Sequence, residues 1–405
     1  MLPSPAMRHP TRWAGAYALV SAMLATIFVL AILTGPYRAV QRSDYMTYQT
    51  AARIVLDGRG ECLFAVACQS RVQHDLIGDE PSFANGPLPF TSPPWLAALV
   101  VPLAALPLAV AFAVFTLLSV LLLALAAWSL AWGGPGTRLI AVTLVLSAWP
   151  TTMAVIRGQS TLAAAALLGL SAGGAVAGSG ARAGAFAGLA ALKPTLIPLW
   201  LIRLAVNRGW RSLVAATAVI AGLVLLAALV VSPRVVADYP AYLLNLAGSA
   251  DTVGIHVEQM INWRGAALRL GVAPPLAVAG IVLTLIAVAS AWWFARRSPR
   301  AMALGAATAF VATPLVIPHA NQHEAIVATL GLLIAITAVE ELRVRLVAAS
   351  IGLQAVLWAG PLLSGEASAW LLFVALLASL LALLWLCWRE GTRYVRPVLV
   401  RTGTD

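Results

Sequence analysis

Residues 108–131, LAVAFAVFTLLSVLLLALAAWSLA, form the stretch that decides the fold. They contain no charged residue, and the run is long enough to cross the hydrocarbon core of a bilayer, which takes about 20 residues of α-helix. Similar apolar runs recur along the whole chain. Because a backbone in lipid must satisfy its own hydrogen bonds, such runs predict α-helices. The sequence therefore predicts an all-α polytopic membrane protein.

Composition supports this prediction and excludes several classes of protein. Hydrophobic residues make up 61% of the chain and charged residues 10%, with a mean hydropathy of +0.90, so a soluble domain is excluded. The net charge of +11 comes mostly from Lys and Arg in short loops between apolar runs, as the positive-inside rule predicts. No basic stripe with interleaved aromatic residues is present, so no nucleic-acid partner is predicted.

The apolar runs predict about twelve spans in one transmembrane domain, residues 1–405, with both termini in the cytoplasm. The first run, 13–33, is too long for a signal-peptide core and is predicted to be a retained helix. The piece at 92–106 is interrupted by prolines and predicts a juxtamembrane or re-entrant helix; if it crosses instead, the threading of the next helices reverses. This organisation predicts a first outer loop (34–106), a second outer loop (232–271) and a cytoplasmic tail (389–405). The remaining spans are predicted at 108–131, 138–155, 160–177, 182–192 with 195–206, 211–231, 272–294, 300–315, 323–339, 343–360 and 367–388.

The first outer loop carries an isolated carboxylate, Asp44, in the segment SDYMTYQTAARIVLDG, residues 43–58. Ser43 is suited to cap a helix, Gly58 to end it, and Tyr45 and Tyr48 fall near helical spacing. We expect a short amphipathic helix lying on the membrane. The helix dipole would favour the carboxylate form of Asp44, which is then suited to act as a general base. The alternative is an Asp that only stabilises its helix.

Two cations, Lys193 and Arg157, fall at predicted membrane depth near the outer face. Ionisable residues there are costly and generally functional, and a polyprenyl phosphate places its phosphate at this depth. We therefore expect both side chains to bind a phosphate, with Gln159 orienting a cation or a sugar hydroxyl. The alternative is that their side chains reach out to the interface, which is more favourable for Arg157 than for Lys193 beside Pro194.

Polar residues also crowd the turn TPLVIPHANQHEA, residues 313–325. His323 and Glu324 match part of the H-E-x-x-H zinc signature, but Val327 occupies the position of the second histidine. The spacing thus favours a hydrogen-bonding or phosphate-binding role for His319 over metal ligation. We predict no cofactor, and the sequence leaves open whether a metal binds.

Taken together, these pieces resemble glycosyltransferase family 87, the polyprenyl-phosphate-sugar-dependent mannosyl- and arabinosyltransferase-like membrane proteins of the GT-C superfamily. The matching pieces, spread from about Asp44 to Glu324, are Asp44-Tyr45, Asp57-Gly58, Ser92-Pro93-Pro94, Pro102, Leu106-Pro107, Gly158-Gln159-Ser160, Ala187-Gly188-Leu189, Lys193-Pro194, the Arg208–Arg211 turn, Thr313-Pro314 and Pro318-His319. The chain departs from the family pattern at Asn262-Trp263-Arg264 and at Asn321-Gln322-His323.

The resemblance implies a GT-C-type helix bundle and an inverting transferase with Asp44 as general base. Lys193, Arg157 and His319 are implied as contacts of the donor phosphate. We further predict that the substrates contact Tyr45, Gln159, Asn262, His323 and Glu324. The implied partners are a polyprenyl-phosphate sugar, a glycolipid or glycan acceptor and membrane lipids, at the extracytoplasmic face of a bacterial inner membrane. The alternatives are a lipid-linked sugar flippase, which would not need one particular carboxylate, and a structural membrane subunit, which gives the buried cations no role.

The cysteines give one further prediction. Three cysteines are too few for a disulfide-rich scaffold or a zinc cluster. Cys62 and Cys68 lie together in the first outer loop, where an oxidising compartment would let them form a disulfide. Cys387 falls in the last apolar run and is expected to stay reduced.

Overall fold

The computed structural model describes residues 9–34, 39–78, 87–207, 209–248, 259–272 and 274–393, and in these ranges every regular element is a helix. The α-helices are α1 (His9–Thr34), α2 (Tyr45–Leu56), α3 (Val66–Ile77), α4 (Pro94–Val100), α5 (Leu108–Leu130), α6 (Pro135–Leu146), α7 (Trp149–Arg157), α8 (Thr161–Val176), α9 (Gly180–Leu189), α10 (Pro198–Val206), α11 (Trp210–Val230), α12 (Pro233–Gly248), α13 (Trp263–Arg269), α14 (Pro274–Ala295), α15 (Ala301–Val316), α16 (Ile326–Ala338), α17 (Arg343–Leu357) and α18 (Gly365–Arg393). The all-α prediction is confirmed.

Long apolar helices make this a multi-pass membrane protein, but the predicted count of about twelve spans is not confirmed. Among the described residues, α1, α5, α11, α14 and α18 are long and apolar enough to cross. The number rises to seven if each of two bent pairs is one span. These pairs are α6 with α7, bent by 59°, and the helix at 322–338 with the helix at 340–357, bent by 105°. Other predicted spans are too short, since the 16 residues of α8 or α15 extend about 24 Å at 1.5 Å per residue against a core of about 30 Å.

The interior is built on short helices rich in small residues. In α8 and α15 most side chains are buried, whereas the long helices expose many apolar side chains, as expected for lipid-facing surfaces. Small residues let backbones approach closely. At Gly184 of α9, an added Cβ would lie 1.9 Å from the carbonyl oxygen of Ser212 in α11. This contact requires glycine and fixes the spacing between the two helices.

The helix predicted to lie on the membrane surface is instead packed inside the protein. It covers Tyr45–Leu56, and ten of its twelve residues are buried against α3, α4 and α5. The amphipathic pattern was misleading because its polar side chains have internal partners. Gln49 donates to the carbonyl oxygens of Ala104 (3.3 Å) and Leu106 (3.1 Å), so its amide is satisfied without water.

The segment predicted as the first outer loop is also more ordered than a simple loop. Within it, α3 holds the extended segment at 87–93 through two side-chain amides: Gln73 donates to the carbonyl oxygen of Leu88 (2.7 Å), and Gln69 accepts from the amide of Phe90 (2.8 Å). The predicted disulfide is present, and it joins Cys62, which precedes α3, to Cys68 near the start of α3. Cys387 is a free, buried thiol, as expected.

The predicted second outer loop, 232–271, contains two helices, α12 and α13. Asp251, His256 and Glu258 of this predicted loop lie outside the described residues. Tyr242 of α12 stacks on Phe64 at 4.2 Å between ring centroids and donates to the carbonyl oxygen of Phe90 (3.1 Å). This helix therefore packs on the strap formed by residues 87–93.

Candidate active site

A cavity of about 310 Å³ collects most of the predicted site residues. Its wall is formed by α2, the strap at 87–93, the turn between α7 and α8, the turn at 192–195, α12, the start of α13, and the turn at 318–324. Most of these elements are helix ends or turns. Residues that are distant in the sequence meet here because the short interior helices end at this level.

Asp44 lies at the end of the cavity formed by α2 and the α7–α8 turn. It precedes α2 as the N-cap residue, but its side chain caps no backbone amide. Instead Oδ2 accepts a hydrogen bond from Nε2 of Gln159, whose own Oε1 accepts from the hydroxyl of Tyr48 at 3.2 Å. Oδ1 makes no hydrogen bond to any described residue. One carboxylate oxygen is thus held in place, while the other is available to a substrate in the cavity.

Gln159 reaches Asp44 because the chain breaks sharply between α7 and α8. Gly158 ends α7 in the left-handed conformation (φ +59°), which glycine adopts without strain. A Cβ at this position would lie 2.7 Å from both a ring carbon of Phe112 and the Cβ of Tyr45. Glycine is required here by both backbone conformation and space, and it sets the position of Gln159 against the first turn of α2.

A buried ion pair lies between Lys193 and Glu324. The ammonium of Lys193 contacts Oε1 of Glu324 and donates to the hydroxyl of Thr161 at 2.8 Å. The same oxygen lies 2.9 Å from Nε2 of His323, and Oε2 accepts from the backbone amide of Asn321 at 2.7 Å. The Glu324 side chain is 0% exposed and that of Lys193 21% exposed. The charge of Lys193 is therefore largely balanced within the protein.

A second group of basic residues, His319 and Arg264, lines the same cavity. Partial burial lowers the pKa of His319 to about 4. Glu324 opposes this shift in pKa, and the charges of Lys193 and Arg264 add to it. His319 is consequently neutral near pH 7, and its Nε2 accepts a hydrogen bond from Nδ2 of Asn321 at 3.2 Å.

The chain before α13 is fixed to the turn that carries His319. The amide of Ile261 donates to the carbonyl oxygen of Ala320 (2.7 Å), and the side chain of Asn262 donates to that of Ile317 (2.8 Å). Asn262 also caps α13 by accepting from the amide of Gly265 at 2.8 Å. These bonds hold the start of α13 beside the turn at 318–324.

Six of the nine predicted site residues line this cavity and three do not. The six are Asp44, Gln159, Lys193, His319, His323 and Glu324. Tyr45 is fully buried and donates to Gln49, Asn262 is buried with both amide groups bonded internally, and Arg157 lies at the last position of α7, away from the cavity lining. Substrate contacts by these three residues remain predictions.

Sequence reasoning missed several polar residues of the site, among them Tyr48, Thr161 and Arg264. Tyr48 lies four residues after Asp44, which is one helical turn, so its spacing was a usable signal. Arg264, which lines the cavity, and Thr161, which accepts a hydrogen bond from Lys193, had no such signal, because only the fold brings them to the site. In the part of the chain that the structure describes, no group of three or more His, Cys, Asp or Glu side chains is arranged to hold a metal ion.

Comparison with known proteins gives one match. The family model described as glycosyltransferase family 87 matches residues 90–318, more than half of the chain. The matched segment includes Gln159, Lys193 and Arg264, whereas Asp44 and Glu324 lie outside it. No curated protein and no solved structure matches the chain significantly.

Proposed function

Since this chain belongs to glycosyltransferase family 87, we propose that it transfers a monosaccharide such as mannose or arabinose from a polyprenyl phosphate to a glycolipid or glycan, with inversion at the anomeric carbon. The observation that carries this proposal is the Asp44 carboxylate, which Gln159 holds at one end of a cavity that also contains basic side chains. A general base and a cationic region in one cavity are what a direct displacement from a phosphate requires.

Asp44 is proposed to act as the base. The acceptor hydroxyl donates to Oδ1, and as its oxygen attacks the anomeric carbon its proton moves to Asp44. The hydrogen bond from Gln159 to Oδ2 fixes the carboxylate so that the free oxygen faces the cavity. Tyr48 in turn fixes the amide orientation of Gln159, because its hydroxyl donates to Oε1.

The leaving group is a polyprenyl phosphate. The bond between the anomeric carbon and the phosphate oxygen breaks, and its electron pair stays on that oxygen. The phosphate, with one negative charge in the donor, therefore leaves with two. Basic side chains near the bond stabilise this developing charge more than they stabilise the ground state, and such differential binding lowers the barrier.

We place the active site on the extracytoplasmic face of a bacterial plasma membrane. The disulfide between Cys62 and Cys68 supports this side, because disulfides persist in oxidising compartments and the bonded segment leads directly into α3, which holds the cavity strap. On this side the donor would be lipid-linked. The cavity also supports this donor, since it lies among apolar helices where a polyprenyl tail stays in lipid.

A lipid-linked sugar flippase was the alternative drawn from the sequence. Membership of a glycosyltransferase family favours catalysis over transport. The geometry agrees, since Asp44 has a dedicated amide partner and an oxygen left free by the described residues, whereas transport of a lipid-linked sugar needs no such oriented carboxylate.

The test is Asp44→Asn in the purified full-length protein, assayed with radiolabelled polyprenyl-phosphate sugars and a panel of glycolipid acceptors. We expect turnover to fall by about 10²-fold or more, because the amide cannot accept a proton, while expression and donor binding stay near wild type. The matched control is Asp57→Asn at the other end of α2, where the carboxylate is exposed and pairs with Arg59. If Asp44→Asn retains more than about a tenth of wild-type turnover, Asp44 is not the base.

A further inference from the structure

Arg264 is the one basic side chain of the cavity whose charge has no partner within the described part of the chain. It lines the cavity, is half-buried, and makes no hydrogen bond or ion pair to any described residue. Lys193, by contrast, contacts Glu324 and Thr161, and His319 is neutral near pH 7. An anion that enters this cavity therefore meets one positive charge that no described residue compensates, and that charge is on Arg264.

The position of Arg264 is fixed by its neighbours on both sides. Asn262 is bonded to Gly265 and to the carbonyl oxygen of Ile317. Trp263 packs against Gly280 of α14 and donates to the hydroxyl of Thr284 at 2.9 Å. The backbone of Arg264 thus lies between Trp263 and Gly265, which are both held by hydrogen bonds. A side chain on a fixed backbone loses less entropy when it binds a ligand.

Arginine is also the residue type best suited to a phosphate. Its planar guanidinium donates two parallel hydrogen bonds to two phosphate oxygens, and it stays charged in an apolar setting. A lysine in an ion pair, such as Lys193, would first have to give up part of its interaction with Glu324. The uncompensated charge and the donor geometry thus both favour Arg264 for an oxyanion.

We propose that Arg264 binds the phosphate of the lipid-linked donor and holds it as the bond to the anomeric carbon breaks. This inference rests on the proposed function, and it assigns the phosphate contact to a residue other than Lys193 or Arg157. The guanidinium would bind the dianionic leaving phosphate more tightly than the monoanionic donor, because the charge on the bound oxygens rises during the reaction. Lys193, with Glu324 and Thr161, then positions the turn at 318–324 instead of binding the phosphate directly.

The test measures binding of farnesyl phosphate, a short prenyl monophosphate that stands for the leaving group, to the full-length protein in phosphatidylcholine nanodiscs. Farnesol, which lacks the phosphate, and inorganic phosphate, which lacks the chain, are measured in parallel. Arg264→Gln should weaken farnesyl phosphate binding by about 10- to 100-fold, the range for lost hydrogen bonds to a charged group. Farnesol binding should not change, and inorganic phosphate should bind far more weakly than farnesyl phosphate.

Two further variants separate charge from geometry. Arg264→Lys keeps the charge but loses the two parallel N–H donors of the guanidinium, so its affinity for farnesyl phosphate should fall between those of the wild type and Arg264→Gln. Arg234→Gln removes one exposed arginine of α12, with a side chain 83% exposed, and should leave affinity unchanged although the net charge changes equally. If the buried thiol of Cys387 becomes reactive at a much lower temperature in Arg264→Gln than in the wild type, that variant is not folded, and Arg264→Lys alone decides the question.

The outcomes distinguish this inference from the proposed function. If the wild type binds farnesyl phosphate in preference to farnesol and Arg264→Gln, or Arg264→Lys where only that variant folds, keeps wild-type affinity within about twofold, Arg264 is not the phosphate ligand and the proposed function stands. If the wild type binds farnesyl phosphate no better than farnesol, both the inference and the lipid-phosphate donor are wrong. If inorganic phosphate binds as well as farnesyl phosphate, the site is specific for free phosphate, and the inference is overturned.

Discussion

Replacing Glu324 by Gln tests how much the central ion pair contributes to stability. The Glu324 side chain is 0% exposed, and its two oxygens receive Lys193, His323 and the amide of Asn321. In the Glu324→Gln variant one oxygen becomes an NH₂ group, so in either orientation a donor faces a donor. Removing the carboxylate also leaves the Lys193 ammonium in the cavity wall without its counter-charge.

The expected magnitude follows from this burial. Breaking a buried ion pair from one side costs about 3–5 kcal/mol, because the remaining charge stays desolvated. At roughly 2 °C per kcal/mol, the low end for long chains, the apparent melting temperature should fall by about 6–10 °C. Lys193→Met should cost less, since Glu324 keeps His323 at 2.9 Å and the amide of Asn321 as partners.

The assay uses the free thiol of Cys387, which is 0% exposed and becomes reactive to a fluorogenic maleimide only when the helices separate. The double variant Lys193→Met/Glu324→Gln removes both charges and should be more stable than the sum of the single effects predicts, by about 0.5–3 kcal/mol. The control is Glu340→Gln, whose side chain is 79% exposed and which should change stability by no more than about 0.5 kcal/mol.

Two results would refute this reasoning. If Glu324→Gln melts within about 1 °C of the wild type, the pair does not carry the stability that its burial implies. If the double variant loses the full sum of the single losses, Lys193 and Glu324 do not interact in the folded protein, and the contact between them is not an energetic pair.

Three further predictions concern other parts of the site. Gly158→Ala should lower turnover at least about tenfold, because the new Cβ pushes α2 and the Asp44 carboxylate away from Gln159. Gly178→Ala should not lower turnover, because Gly178 is also at positive φ (+76°) but has open space around it. Equal turnover in the two variants would contradict the steric argument. Alkylation of the denatured protein without reductant should modify one cysteine of three, and modification of Cys62 or Cys68 at full yield would show that they are not bonded. The pKa of His319 lies near 4 in the folded state and near 6.5 in the unfolded state, so between these pH values only the unfolded state takes up this proton. The stability of the protein should therefore fall as the pH is lowered from about 6.5 to 4. His319→Gln should show a shallower fall in melting temperature over this range, and an unchanged slope would mean that His319 titrates normally.

The sequence predicted the helices well because their signal is local. Apolar runs placed α5, α11, α14 and α18 to within a few residues, and Asp44 stood out as a carboxylate beside a helix start. The sequence also singles out the 313–325 turn, since polar side chains between apolar runs are unusual, and His319, His323 and Glu324 of this turn line the cavity.

The pairing of side chains could not be predicted, because it depends on which helix ends meet. The sequence predicts Lys193 as a phosphate ligand, and only the fold brings Glu324 to it. Tyr45 and Tyr48 both fit a helical face in the sequence, and which of them reaches the cavity depends on how α2 packs. Span length misled the count, since short helices such as α8 gave apolar runs as convincing as the long ones.

The ion pair between Lys193 and Glu324 has a consequence for how the protein is made. The two residues are 131 positions apart, so at synthesis rates of roughly 5–20 residues per second Lys193 emerges about 7–26 s before its carboxylate. During that interval the Lys193 ammonium lies beside newly inserted apolar helices without its counter-charge, and an unpaired charge there is costly. Asp44 likewise precedes Gln159 by 115 residues. The candidate cavity is therefore completed only when the turn that carries Glu324 joins the bundle, and a chain that stops short of this turn leaves Lys193 without its carboxylate.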